Sequence, residues 1–159
     1  MVGADDNAPR WTIPRRTRLA QQDLHISAFN FVRKSAKDTA LIFVKAGPKF
    51  PVSFKRGKWL LPAAIMDFGE VPKFVAKRVV NEQLTNTDYI VTNYLSMQSY
   101  LGAHWDIVFI FESVLDESKP TPVAKDPFIG VSFFDLDSLP RQEIAEDHLE
   151  VLDEFKKEP

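Results

Sequence analysis

Two periods alternate along this chain. Apolar residues recur at every second position through Asp23–Arg33, where Leu24, Ile26 and Ala28 share one face, and Thr39–Ala46 is dense in β-formers; both read as strands. A short strand, WLLP (59–62), follows a basic, proline-bearing loop (47–57) and leads into a loop, AAIMDF (63–68). Between Pro72 and Leu84 the period lengthens. Ala76, Val80 and Leu84 fall at i, i+4 and i+8, which predicts a helix with one buried row, and Pro72 stands where a first helical residue needs no N–H. Strands are predicted at Tyr89–Leu101 and Trp105–Val114, joined by a tight Gly102-Ala103-His104 turn. Beyond a polar loop (116–127), Phe128–Leu136 is the last strand. Asp137-Ser138-Leu139-Pro140 then opens a C-terminal helix striped by Ile144, His148, Val151, Leu152 and Phe155. The order β-β-β-α-β-β-β-α mixes hairpins with a strand–helix connection. It predicts an α/β fold with a central mixed sheet and helices on its faces.

Composition adds a size and a compartment. At 159 residues the chain reads as an N-terminal arm (1–22) and a single domain (23–156), long enough to bury roughly 70% of its unfolded surface. A content of 45% hydrophobic and 26% charged residues is that of a soluble globular protein. No cysteine is present, which excludes disulfides and thiolate metal sites. The segment MVGADDNAPRW has no apolar signal region, and runs such as Ile107–Phe111 are too short to span a bilayer. A cytoplasmic protein without a membrane partner is expected.

Charge is uneven along the chain. Residues 1–78 hold 15 Lys and Arg against 6 Asp and Glu, whereas residues 79–159 hold 5 against 16. The plain expectation is that the halves pack together and neutralise each other. The functional one is a basic rim, from Arg15, Arg16, Arg18, Arg33, Lys34, Lys55, Arg56 and Lys58, that draws in an anionic ligand.

The predicted helix carries the chemistry. GEVPKFVAKRVVNEQLT (69–85) places Glu70 ahead of it and Arg78 and Glu82 on its polar side, one turn apart. This segment resembles the box of the Nudix superfamily: Gly, five residues, Glu, seven residues, then Arg-Glu-U-x-Glu-Glu-x-Gly-U, with U a bulky aliphatic. Glu70, Arg78, Val80 and Glu82 match, four of nine fixed positions. Ala64 stands at the first Gly, Val79 and Gln83 at two of the helix glutamates, and Thr85 and Asn86 at the closing pair. GKWLLPAA (57–64) is similar to the strand that enters the box, and FFDLDSLPRQEIAEDHLEVL (133–152) to the closing strand, Leu-Pro corner and terminal helix. The resemblance covers roughly residues 23–155.

What it implies is an α/β/α sandwich that hydrolyses a nucleoside diphosphate linked to another moiety, or a related small-molecule diphosphate, with Mg²⁺ or Mn²⁺. Glu82, Glu70 and Arg78 are the catalytic candidates, Glu70 and Arg78 as a bracing pair. Glu82, Glu70, Gln83 and Asp67 are the candidate metal ligands, and Arg56, Lys58, Trp59 and His104 the candidate substrate contacts. Of three helix glutamates only Glu82 survives, since Val79 coordinates nothing and Gln83 offers a neutral oxygen. A lost Lewis acid worth about 3–4 kcal/mol is roughly two to three powers of ten in rate. The expectation is therefore a hydrolase-like domain with a depleted metal site and weak or altered activity. Its alternative is a non-catalytic nucleotide-binding, protein or RNA interaction module, nucleic acid being the less favoured partner. A homodimer is the family's frequent state.

Plainer roles are weighed beside these. Val79 reads as apolar surface beside Val75, Glu70 as a carboxylate favoured by the helix dipole, and His25 and His148 as packing residues. Trp59 and Phe31 read first as core and second as a stacking surface for a base. Asp106, Glu112 and Glu146 are acids outside the box that would replace the missing ligands.

Overall fold

The structure, a computed structural model, describes residues 24–101 and 105–157. The predicted arm, the basic residues Arg15, Arg16 and Arg18, and the turn holding His104 lie outside the described residues. Among the described residues seven strands form one mixed sheet: β1 (Leu24–Arg33), β2 (Ala40–Ala46), β3 (Trp59–Leu60), β4 (Ala63–Ile65), β5 (Asn93–Leu101), β6 (Trp105–Val114) and β7 (Phe128–Asp135). Two α-helices among the described residues accompany them, α1 (Pro72–Gln83) and α2 (Glu146–Lys157).

β1 is the axis of the sheet. It runs parallel to β6 from Leu24↔Trp105 to Arg33↔Val114 and takes antiparallel β4 on its other edge through Ser27–Phe29. Only at Arg33↔Leu41 does it meet β2, which pairs along its length with β7 and briefly with β3. A strand placed this way is buried on both faces, which is why Ala28–Val32 carries no exposed residue. One face meets α1: Ala28 and Phe111 pack on Val75 and Ala76, and Val32, Ile42 and Val44 on Val79, Val80 and Leu84. The other meets α2, with Phe29, Phe31 and Ile110 against Leu149, Val151 and Leu152. This is the expected α/β/α sandwich around a mixed sheet.

Three boundaries differ from the sequence reading. Ala63–Ile65, expected as a loop, is strand β4; three residues show no period, and it is pairing with β1 that extends them. Tyr89–Thr92 precedes β5, because the Ile90 N–H turns back to the Thr87 carbonyl at 3.1 Å. The C-terminal helix begins at Glu146, after a 3₁₀ turn at Arg141–Glu143. Pro140 brings no N–H to that turn, and buried Ile144 forms a bridge with Trp59 while the Ala145 N–H bonds the Trp59 carbonyl at 3.1 Å.

Ion pairs join the two oppositely charged halves, as Lys55–Asp147 at 2.6 Å and Arg33–Glu112 at 3.5 Å. Among the described residues no helix is long and apolar enough to cross a membrane.

Candidate functional site

The loop before α1 is built by Glu70. Its Oε1 accepts the Asp67 N–H at 2.8 Å, and the Glu70 N–H returns to the Asp67 carbonyl at 3.1 Å. Gly69 closes this turn at φ +87°, a conformation a Cβ disfavours. Two turns into the helix, Arg78 spreads its guanidinium between two carboxylates. Nη2 donates to Glu70 Oε1 at 3.1 Å, and Nη1 to Glu82 Oε1 and Oε2 at 3.1 and 3.3 Å. The hydrogen bond to Glu82, then the charges of Glu82 and Glu70, hold the guanidinium pKa above its ordinary value, while burial pulls it down. Arg78 Nε is buried with no partner among the described residues.

These two arms differ in worth. Glu70 keeps 18% of its side chain exposed and Glu82 57%, so solvent screens the second pair far more. Glu82→Ala is expected to change stability by less than about 0.5 kcal/mol, whereas Arg78→Met, which strands the half-buried Glu70, should cost about 1–2 kcal/mol. Urea denaturation of the two variants beside wild type measures the difference.

The rest of the box has turned inward. Val79 is 1% exposed, in one cluster with Val32, Ile42, Val44, Leu60 and Phe128, and Phe50 packs on that cluster. Gln83 is 8% exposed; Nε2 donates to the Ala63 carbonyl at 3.3 Å, and Oε1 is buried without a partner among the described residues, an omission that costs about 1–3 kcal/mol. Lys125 fastens the same turn from outside, its N–H to the Gln83 carbonyl and its Nζ to the Asn81 carbonyl, each at 2.8 Å. A lysine there also complements the negative end of the helix dipole. Asn86 ends the segment at φ +56°, a left-handed position that Asn tolerates and a bulky aliphatic does not.

No protein-family model matches the chain, and no curated protein matches it in sequence. Solved structures do match its shape. A MutT protein from Methanosarcina mazei superposes with a TM-score of 0.63 at 17% identity, covering 85% of this chain and 96% of that one. A MutT Nudix hydrolase from Burkholderia pseudomallei gives 0.58 at 16% identity over 82% and 96%. An Ap4A hydrolase from C. elegans gives 0.59 at 15% identity over 83% and 95%. The chain has the Nudix fold.

On that fold, Mg²⁺ or Mn²⁺ is the cofactor the box implies, and the residues present do not fit it. The remaining helix carboxylate, Glu82, is engaged by Arg78; Val79 is core; Gln83 turns a donor toward the Ala63 carbonyl. Asp67 is exposed and contributes its backbone N–H, not its carboxylate, to the loop. The acids outside the box are elsewhere. Asp106 lies 3.7 Å from His25, Glu112 pairs with Arg33, and Glu146 stands exposed in the first turn of α2. Among the described residues no group of three or more His, Asp or Glu is arranged to hold a metal.

The other candidates are not gathered around the Nudix box. Arg56 donates Nε to the Phe50 carbonyl at 2.7 Å, and Lys58 donates Nζ to the Gln142 carbonyl at 2.8 Å, toward the α2 side. The Trp59 ring is half-buried, set edge-on to Phe134 at 5.3 Å with Lys45 Nζ 5.7 Å from its centroid. Phe31 is buried against Phe155 and is core. Two open depressions of ≈ 250 and ≈ 240 Å³ flank Tyr89, and neither is lined by a box residue.

A buried polar knot beneath α1 was not anticipated. Asn30 Nδ2 donates to the Ala76 carbonyl at 3.1 Å, Ser113 Oγ donates to Asn30 Oδ1 at 2.9 Å, and the Thr92 and Ser113 hydroxyls meet at 3.1 Å. Its sequence signal is a lone amide inside the aromatic run FNF, which a central strand tolerates only with partners.

Proposed function

We propose that this is a Nudix hydrolase-like domain for a diphosphate-containing small molecule, such as a nucleoside diphosphate linked to another moiety, that turns it over weakly because its cation face is depleted. The observation that carries this reading is the state of the box helix: Glu82 tied to Arg78, Val79 in the core, and Gln83 bonded to the Ala63 carbonyl. The Glu70–Arg78 brace and the fold keep the shape of a hydrolase, while the charge that would gather divalent cations is reduced to Glu82, which Arg78 pairs. Fold neighbours include an Ap4A hydrolase and a dihydroneopterin triphosphate pyrophosphohydrolase, which motivates diphosphates as the ligand class.

A second reading, a binding module with no turnover, is favoured by the burial of Val79, since a packed face offers no room for a water nucleophile. Calorimetric binding and product release over nucleotide sugars, dinucleoside polyphosphates, ADP-ribose and NADH, with and without Mn²⁺, tests both. Saturable binding with turnover about two to three powers of ten below the active neighbours is expected. Binding with no turnover selects the second reading, and rapid Mn²⁺-dependent hydrolysis contradicts both.

A further inference from the structure

We infer that Gln83 is a latch that stands in for a cation: its amide N–H fastens the last turn of α1 to β4, so the box keeps its closed arrangement with no divalent ion. This deepens the reading of a depleted site and rests on it. Ala63 opens the strand that pairs with β1, and its carbonyl can only accept, so the nitrogen of the Gln83 amide must face it. A carboxylate in that place would set oxygen against oxygen at about the same separation, in a site 8% exposed, and would need a cation or a proton between them. The amide bridges the same two elements with no formal charge. Lys125 supplies the other donors to this turn, at the Gln83 and Asn81 carbonyls, so donors fixed in the chain hold the end of α1. Gln83 Oε1, with no partner among the described residues, marks the choice: the amide is oriented by Ala63, not by a described donor for its own oxygen.

The test uses the full chain, millimolar Mn²⁺ or EDTA, and no diphosphate, so it can fail independently of the ligand reading. Thermal melting is combined with hydrogen exchange at the Met66 and Leu84 N–H groups, which bond the Ile26 and Val80 carbonyls on either side of the latch. Wild type should melt at the same temperature and exchange at the same rate in both solutions. Gln83→Glu should melt about 5 °C lower in EDTA and recover most of that with Mn²⁺. Gln83→Met, which fills the space without a donor, should exchange roughly tenfold faster at both amides and ignore Mn²⁺. If Gln83→Glu does not fold in EDTA, the methionine variant decides. Mn²⁺ protection of the wild type, unchanged exchange in Gln83→Met, or a folded Gln83→Glu that ignores Mn²⁺ would each overturn the assignment.

Discussion

Val79→Glu is expected to destabilise the protein by about 4 kcal/mol, a large part of the total stability of a domain this size. The side chain is 1% exposed among Val32, Ile42, Val44, Leu60 and Phe128, so a carboxyl placed there has neither water nor a hydrogen-bond donor. Burial would hold the introduced group protonated above the ordinary carboxylate range. The native state would then bind more protons than the unfolded one, and stability would fall as pH rises through that window. Guanidinium denaturation at several pH values reads both the size and the sign. A variant as stable as wild type would mean that this helix face opens to solvent and that the box is intact in all but sequence.

The second large effect comes from His148 and has the opposite sign. Nδ1 accepts the Leu61 N–H at 3.0 Å, and the ring lies 4.8 Å from that of Phe29. Burial pushes the imidazole from 6.5 down to about 4; the neighbouring Asp147 charge resists this and Lys55 adds to it. Below the unfolded pKa the unfolded chain takes up a proton that the native state refuses. Stability is therefore full above about pH 6.5 and declines by about 1.4 kcal/mol per pH unit toward pH 4, a total of about 3 kcal/mol. His148→Asn keeps an acceptor for Leu61 without the titration. Its stability should be nearly flat over the same interval, and an unchanged acid slope would remove His148 as the cause.

Both predictions come from positions whose burial the sequence already suggested. Val79 beside Val75, and the Ala76–Val80–Leu84 row, announce two adjoining apolar faces on one helix, and the structure buries all five. The long strands were legible too: β1 is ten residues long, enough for its alternation to emerge, and β6, equally long, carries the continuous apolar run Ile107–Phe111 of a buried strand. β4 was not, because three residues, two of them alanine, carry no period, and only the neighbouring strand defines them. The start of α2 was misplaced because Asp137–Pro140 has the composition of a helix opening; the pull of Ile144 onto Trp59 is a tertiary contact that local composition does not contain.

The box was legible in residue types and not in orientation. Counting carboxylates predicts a weakened cation site. The Glu70–Arg78 brace was expected from the resemblance and is present, but that Arg78 also holds Glu82, and that Gln83 turns its nitrogen toward Ala63, is not predicted by residue type. Those depend on where β4 lies. The basic rim fared differently. Lys55 pairs with Asp147 and Arg33 with Glu112 across the two charged halves, whereas Arg56 and Lys58 give hydrogen bonds to the neutral Phe50 and Gln142 carbonyls.

On the proposed reading the box helix is held by its own side chains, Arg78 on Glu70 and Glu82 and Gln83 on the Ala63 carbonyl, without a divalent cation. Anomalous diffraction from crystals grown with Mn²⁺ and a non-hydrolysable diphosphate examines that face directly. No manganese peak should appear between Glu82, Gln83 and the Ala63 carbonyl, with the Gln83 amide still bonded to that carbonyl. Two ordered peaks there, with Arg78 displaced from Glu82, would contradict the account.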